Sequence, residues 1–498
     1  MVLSELIRHV TVDEIMGNTQ VDVTGLTHDS RQVMPGNVFV AIPGLKHDGA
    51  EYARSAQERG AVAVVAETLT GGHQACVSIR VPHARRAMGQ MARAFHGFPD
   101  RALKVVGITG TNGKTTTAFL IRHLLGAVGF KTGLLGTVVY DDGDKEIPAS
   151  RTTPESIEVC GLMARMVGNG CRACVMEVSS HALEQGRVEG LAFDVAVFTN
   201  LTQDHLDYHK TFDAYFDAKS LLFSGLNGAE KKSVALINVD DPWAERLIGR
   251  VHPSAQTVTY GFGAEAGLRA ELVELGSSRT RYILHNQGRA HEVTLPLAGR
   301  HNVYNSLAAV GTALALGIDP VTVISALAAL PAVPGRLERV DAGMPFDLFV
   351  DYAHTDDALK NVLSTLRETT RGRIITVFGC GGNRDAKKRP LMGAVAAEWS
   401  DHTIVTSDNP RREEPASIIA AVVEGFGAKK NFETIEDRRE AIARALEIAR
   451  PGDTVLLAGK GHETYQEFAD EVVPFDDREV VRELAAERLA GKEGAWTH

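Results

Sequence analysis

The chain is poor in cysteine, with five in 498 residues: Cys76, Cys160, Cys171, Cys174 and Cys380. A small, odd number excludes a disulfide scaffold and suits reduced thiols in a cytoplasmic protein. Cys171-Arg172-Ala173-Cys174 has C-x-x-C spacing, but there is no second pair to complete a zinc site. The stretch runs straight into an apolar strand, so both thiols read as structural. Long apolar runs are also missing. The longest, Leu307 to Ile318, falls short of the ~20 residues a membrane span needs, and no basic start leads into an apolar core of signal-peptide length. No membrane insertion is expected. Positive charge is not in excess: 53 Lys and Arg against 63 Asp and Glu give −10. That balance excludes sequence-independent nucleic-acid binding and attraction to anionic membranes, and leaves room for a local basic pocket. Solenoid repeats and low-complexity tracts are absent as well.

What is there is an ordinary globular composition, 44% hydrophobic and 23% charged, at a length that predicts about three domains. The chain is organised around Val105-Val106-Gly107-Ile108-Thr109-Gly110-Thr111-Asn112-Gly113-Lys114-Thr115-Thr116-Thr117. Val105 to Thr109 reads as a buried strand. Phe119, Leu120, Ile121, Leu124, Leu125 and Val128 follow with helical spacing, and Gly129 closes the helix. Strand, glycine loop and helix form a phosphate cradle: glycines turn backbone N–H groups toward an anion, and the helix N-terminus adds partial positive charge. Lys114 would reach the terminal phosphates and Thr115 would bind Mg²⁺. The usual G-x-x-x-x-G-K-[ST] pattern is incomplete, because Ile108 stands where its first glycine belongs and the glycine sits at Gly110.

Residues 1–100 read as a small N-terminal α/β domain with strands Phe39-Val40-Ala41-Ile42 and Ala61-Val62-Ala63-Val64-Val65. His96-Gly97-Phe98-Pro99-Asp100 reads as a linker. Residues 101–335 alternate strands and helices, which predicts a central domain of the phosphate-loop type with a mostly parallel sheet. Its strand ends deliver Glu177-Val178-Ser179-Ser180-His181 and Thr199-Asn200-Leu201 with Asp204-His205-Leu206-Asp207, at the carboxyl edge where ligands bind in such sheets. Phe212 to Phe223 is a helix carrying Lys219, which residue type alone would place in solvent. Short alternating runs between about 257 and 295 suggest an antiparallel patch. Residues 336–498 repeat the layout as a Rossmann-like C-terminal domain. Four of its strands lead into Asp351-Tyr352-Ala353-His354, Gly379 to Asp385, Ser407 to Arg411 and Ala458 to Glu463. Thr115 and Glu177 offer the oxygen ligands Mg²⁺ prefers. Arg384, Asn409 and Arg411 suit a carboxylate, and Glu463 suits an ammonium, so a zwitterionic ligand is expected there.

These segments, with Gly110-Thr111-Asn112-Gly113-Lys114-Thr115, Asn302-Val303-Tyr304-Asn305 and Asp351-Tyr352-Ala353-His354, resemble in order and spacing the motif series of the Mur ligases across nearly the whole chain. Asp408-Asn409-Pro410-Arg411 resembles the family's diaminopimelate recognition motif, and lysine-adding members lack that arginine. The resemblance implies a monomeric, ATP-dependent amide ligase of peptidoglycan synthesis. It would join meso-2,6-diaminopimelate to the D-glutamate of UDP-N-acetylmuramoyl-L-alanyl-D-glutamate through an acyl phosphate, with the C-terminal domain closing onto the central one. Lys114, Glu177, His205 and Lys219 would serve catalysis. Lys219 would be modified to a carbamate and, with His205, would bind a second Mg²⁺ beside the Thr115 and Glu177 site. Gly110, Thr111, Asn112, Gly113, Lys114, Thr115, Thr116, Asn302, Arg336 and Asp351 would hold ATP. Ser30, Lys46, His47, Thr152, Thr153, Ser179, Gln185 and Arg187 would hold the UDP-muramoyl-dipeptide. Arg384, Asp408, Asn409, Pro410, Arg411, Gly459 and Glu463 would hold diaminopimelate. Two positions depart from the family's pattern: Asp356 replaces a proline, and Leu45-Lys46-His47 replaces a His-Gln-Ala form. A lysine-adding relative or a folylpolyglutamate-type ligase is the alternative within this resemblance. A nucleotide-binding regulator without ligase activity would lack Lys219, Arg384 or Arg411, and all three are present.

Overall fold

The computed structural model describes residues 1–44, 48–69, 76–226 and 230–493. The chain divides into two compact units, Met1–Leu268 with Leu307–Val323 and Arg269–Ser306 with Ile324–His498.

The first unit holds two sheets. β1 (Glu14–Met16), β2 (Gly25–Thr27), β3 (Asn37–Val40), β4 (Ala63–Ala66) and β5 (Val77–Arg80) form the smaller one in the order β1-β5-β4-β3-β2. It is parallel except for β1. The strands expected at 39–42 and 61–65 are found shifted by about two residues. The 96–100 stretch is more than a linker: Phe98 at φ 57 starts the short helix Pro99–Ala102. Asp100 is buried there and accepts from Arg93 Nε and from the backbone N–H of Ala192.

The larger sheet is built on β6 (Lys104–Thr109), β7 (Thr132–Leu135), β8 (Val139–Asp141), β9 (Glu146–Pro148), β10 (Ala173–Glu177), β11 (Val195–Phe198), β12 (Val234–Asn238) and β13 (Gln256–Gly261). Its order within this unit is β13-β12-β11-β6-β10-β7-β8-β9. Strands β13 to β7 along that order are parallel, and β8 and β9 turn back antiparallel. A parallel sheet must be buried on both faces, which explains the near-continuous apolar runs of β6, β10 and β11. Register places Glu177 opposite Ile108 and Phe198 opposite Thr109. The glycine loop, Glu177 and Thr199-Asn200 therefore leave the sheet at one edge. Ser179 and Thr211 cap the helices Ser180–Glu184 and Phe212–Ser224 through their hydroxyls, the ordinary role of a hydroxyl residue at that position. All five cysteines are free thiols, and burial pushes Cys160 up to about 12, in keeping with a packing role.

In the second unit, β14 (Leu268–Leu275) enters from the boundary, and β15 (Thr280–Asn286) pairs antiparallel with β16 (Arg289–Leu295), so the expected antiparallel patch is present. β17 (Glu338–Arg339), β18 (Asp347–Asp351), β19 (Ile374–Phe378), β20 (His402–Val405), β21 (Phe432–Thr434) and β22 (Thr454–Ala458) form a sheet of order β17-β18-β22-β19-β20-β21. It is parallel but for β17. Asp351, Ala458 and Phe378 stand in register, and Phe378 faces Val405. The four polar loops foreseen after these strands thus share one edge. β23 (Tyr465–Glu467) and β24 (Val472–Pro474) add a small antiparallel ribbon.

Beneath that edge Arg438 and Asp477 form an ion pair with both side chains at 0% exposure. Arg438 Nε donates to Asp477 Oδ1 at 2.8 Å, and Nη2 donates to Oδ2 at 2.7 Å and to the Ala458 carbonyl at 3.1 Å. Removing one member of a buried pair strands the other charge. Arg438→Ala is expected to destabilise the fold by about 3–5 kcal/mol. The double change Arg438→Met with Asp477→Leu is expected to recover most of that in urea unfolding. An equal loss in both variants would show that the pair itself is not what matters.

Candidate active site

At the end of β6 the chain enters Gly110 at φ +148, where a Cβ would lie 1.9 Å from Thr199 Oγ1. No side chain fits, and the loop is held against the neighbouring strand end. The Thr111 N–H donates to the Asn200 carbonyl at 2.9 Å, the Asn112 N–H to Asn200 Oδ1 at 2.9 Å, and Thr199 Oγ1 to the Asn112 carbonyl at 2.7 Å. Gly113 opens the helix Lys114–Ala127. Thr115 and Thr116 sit buried in its first turn, where the helix dipole favours an anion. Lys114 Nζ donates to the carbonyls of Gly110 at 3.0 Å and Thr111 at 2.8 Å.

The Gly110 carbonyl also accepts from Lys219 Nζ at 2.7 Å. This corrects the solvent-exposed reading of Lys219: the side chain is 2% exposed, with Nζ 4.4 Å from the Tyr215 ring centroid. Burial holds its amine well below the ordinary lysine range, and Lys114 acts the same way against an opposing Asp204. The helix face explains the placement. Tyr215, Phe216, Ala218, Leu222 and Phe223 are buried, and position 219 falls on that face by the helical period.

Glu177, also buried, accepts Thr115 Oγ1 at 3.0 Å on Oε2, the Thr137 N–H at 2.9 Å on Oε1 and Thr137 Oγ1 at 3.1 Å on Oε2. Thr137, not singled out from sequence, therefore orients the carboxylate. The residues expected around the dipeptide continue from there. Thr152 Oγ1 lies 3.1 Å from Thr137 Oγ1. Thr153 Oγ1 donates to the Glu177 carbonyl at 2.8 Å and accepts the Ser179 N–H at 3.0 Å. Arg187 reaches the Thr153 carbonyl at 2.8 Å and Gln185 Oε1 at 2.7 Å. His205, at φ 54, stands 3.4 Å from Asp204 Oδ2, with the His181 ring edge-on at 4.9 Å between centroids. Ser30 starts a short turn, Ser30–Gln32, capped by Asp29. Lys46 and His47 lie outside the described residues.

Among the described residues no three His, Cys, Asp or Glu side chains gather as a metal cluster. A cation here would rest on one carboxylate, a hydroxyl and oxygens brought by a ligand. That donor set fits Mg²⁺, which keeps water and phosphate oxygens in its shell.

In the second unit, Asn302 stands near the start of the helix Arg300–Ala315 and donates to the Ala298 carbonyl at 2.8 Å. Asp351 accepts the N–H groups of Leu337 at 2.6 Å and Ala353 at 2.8 Å, and burial raises its carboxyl above the ordinary range. The Arg336 guanidinium lies 5.0 Å from the Tyr352 ring centroid. At the shared strand edge the loops press together: a Cβ on Gly382 would lie 1.8 Å from the Pro410 carbonyl oxygen, and one on Gly459 2.8 Å from Asp408 Oδ2. Asn409 Nδ2 donates to Glu463 Oε2 at 2.9 Å. Arg411, at φ 53, donates through Nε to Glu467 Oε2 at 2.7 Å and through Nη1 to the Gly382 carbonyl at 2.9 Å. Arg384 is exposed on the loop that follows. Lys460 and Glu467 are the partners that sequence reasoning did not select. A lone lysine between two glycines after the apolar run Val455 to Ala458 was a usable signal for Lys460; nothing marked Glu467.

Three family models match this chain: Mur ligase family, catalytic domain, over residues 22–96; Mur ligase middle domain over 108–313; and Mur ligase, glutamate ligase domain, over 335–461. A relative from Syntrophomonas wolfei, UDP-N-acetylmuramoyl-L-alanyl-D-glutamate–2,6-diaminopimelate ligase, is 45% identical over 99% of this chain and 100% of its own. One of the same name from Solibacter usitatus is 47% identical over 93% of this chain and 94% of its own. A solved structure bearing that name is 33% identical, covers 98% of this chain and 99% of its own, and has a TM-score of 0.72. MurF from Thermotoga maritima, solved with ADP, is 20% identical over 96% of this chain and all of its own at a TM-score of 0.60, and shares the fold. The chain belongs to the Mur ligase family.

Proposed function

We propose that this protein is an ATP-dependent ligase of peptidoglycan precursor synthesis that adds meso-2,6-diaminopimelate to the D-glutamate γ-carboxylate of UDP-N-acetylmuramoyl-L-alanyl-D-glutamate. The relatives of that name, matched over nearly their whole length, support the reaction. The observation that carries the choice of amino acid is Arg411, held beside Glu467 on the loop whose Asn409 binds Glu463. Diaminopimelate has a second carboxylate that lysine lacks, and a guanidinium is the side chain best shaped to hold it. In this reading residues 1–100 take the uridine diphosphate end, 101–335 take ATP and 336–498 take the amino acid. The protein works as a monomer in the cytoplasm, and no helix of the described residues is long and apolar enough to cross a membrane.

A carboxylate is a poor electrophile because its leaving group would be oxide. Attack of the glutamate carboxylate oxygen on the γ-phosphorus of ATP breaks the bond to the bridging oxygen, so ADP leaves and an acyl phosphate remains. The neutral amine of diaminopimelate attacks its carbonyl carbon, the amide bond forms, the C–O bond to phosphate breaks, and phosphate and a proton leave. The N–H groups of the 110–115 loop bind the phosphates, and Lys114 exchanges its carbonyl partners for phosphate oxygens as the charge moves. Thr115 and Glu177 would hold one Mg²⁺, and His205 with Lys219 as a carbamate a second, which would supply positive charge against that of the phosphates. Thr137 keeps the Glu177 carboxylate turned toward Thr115. Lys219 is suited to carbamate formation: its burial favours the neutral amine, the form that adds to carbon dioxide with loss of a proton.

Mass analysis of the product formed from the UDP-linked dipeptide, ATP and an equal mixture of diaminopimelate, lysine and glutamate is expected to give the diaminopimelate adduct. Preference for lysine would overturn the Arg411 argument. Arg411→Ala is expected to weaken diaminopimelate binding by about 1.5–3 kcal/mol, the scale of a hydrogen bond to a charged group, with ATP affinity unchanged in calorimetry. Lys219→Met is expected to lower kcat by roughly 10²–10³ while nucleotide still binds. Full kcat in that variant would remove Lys219 from the mechanism.

A further inference from the structure

Lys460 follows β22 and is 0% exposed. A buried ammonium is costly unless every donor it carries finds a partner. Lys460 Nζ donates to Asn409 Oδ1 at 3.2 Å and to Glu463 Oε2 at 3.1 Å, and it stands 5.4 Å from the Tyr465 ring centroid. The consequences spread from Asn409. Its Oδ1 also accepts the Glu467 N–H at 3.0 Å. With two donors on the oxygen, the amide has one orientation, and Nδ2 must face Glu463, as it does at 2.9 Å. Glu467 in turn holds Arg411 twice: its carboxylate accepts Arg411 Nε, and its carbonyl accepts the Arg411 N–H at 2.9 Å. Both ends of the amino acid reader, Glu463 for the ammonium and Arg411 for the carboxylate, therefore hang on one buried cation.

We propose that Lys460 is the positioning residue for amino acid selection, fixing Glu463 directly and Arg411 through Asn409 and Glu467, without touching the ligand itself. The proposal rests on reading the 408–411 loop as the diaminopimelate pocket. Without Lys460 the Asn409 oxygen keeps only the Glu467 N–H as donor, so its amide is held less firmly, and Glu463 loses the cation that balances it. A merely structural lysine would lower the amount of folded enzyme and leave the KM of the folded fraction alone. A positioning lysine changes the KM for one substrate only.

The experiment is steady-state kinetics of the full chain with the UDP-linked dipeptide, ATP and diaminopimelate, comparing Lys460→Met with Arg411→Ala. For Lys460→Met the expected result is a KM for diaminopimelate at least tenfold higher, a KM for ATP within twofold and a kcat within threefold. In a Glu463→Gln background the same change should raise the KM by a smaller factor than in the unaltered enzyme, because only the arm through Asn409 and Glu467 to Arg411 is left to disturb. If Arg411→Ala raises the KM and folded Lys460→Met does not, the role of Lys460 is overturned while the pocket stands. If neither variant alters the KM for diaminopimelate, both fall. An equal rise for ATP also overturns the proposal. Should Lys460→Met fail to fold, Lys460→Gln, which keeps a donor without the charge, is read by the same split: a KM change confined to diaminopimelate supports the proposal, and an unchanged KM overturns it.

Discussion

Two lysine side chains converge on the carbonyl oxygen of Gly110. Both donate to backbone oxygen, in a loop whose N–H groups already favour negative charge, and burial keeps the Lys219 amine toward its neutral form. Two lysine donors on one backbone oxygen, beside N–H groups that point the same way, favour an anion at this place. The remaining geometry of the first unit serves it. The parallel register delivers Glu177 and Thr199 to the same edge, Thr199 leaves space for no side chain at position 110, and Tyr215 walls off Lys219 from water. A triphosphate entering this loop supplies the charge that the protein withholds.

The second unit solves the opposite problem. In the proposed reading its ligand is both cation and anion, and its edge carries charges of both signs in pairs. Arg411 is paired with Glu467, and Glu463 with Lys460. Preformed pairs limit the reorganisation that binding such a ligand would require. Arg438 and Asp477 repeat the device with both side chains fully buried.

The architecture was legible because the strands of a parallel sheet are written as β-branched runs and their loops as polar clusters. The largely parallel sheets and the shared edges follow from that alternation. Glu177, Ser179 and Thr199 could be placed at strand ends for the same reason. Lys219 was misjudged on residue type, although its helical period already put it on the buried face. Thr137 and Glu467 could not be found, since each matters through one hydrogen bond across the fold, and a single threonine or glutamate in a loop carries no pattern. Boundaries drifted where, as at 39–42, the apolar run outlasts the pairing. Lys46 and His47 lie outside the described residues.

The glycine-to-carbonyl contact between Gly382 and Pro410 bears on how such an enzyme can diverge. With the two loops touching backbone to backbone, neither can gain or lose a residue without parting the strands that feed them. A change of amino acid diet would therefore come through exchange of side chains at fixed loop length, and kin with different preferences should align across both loops without gaps.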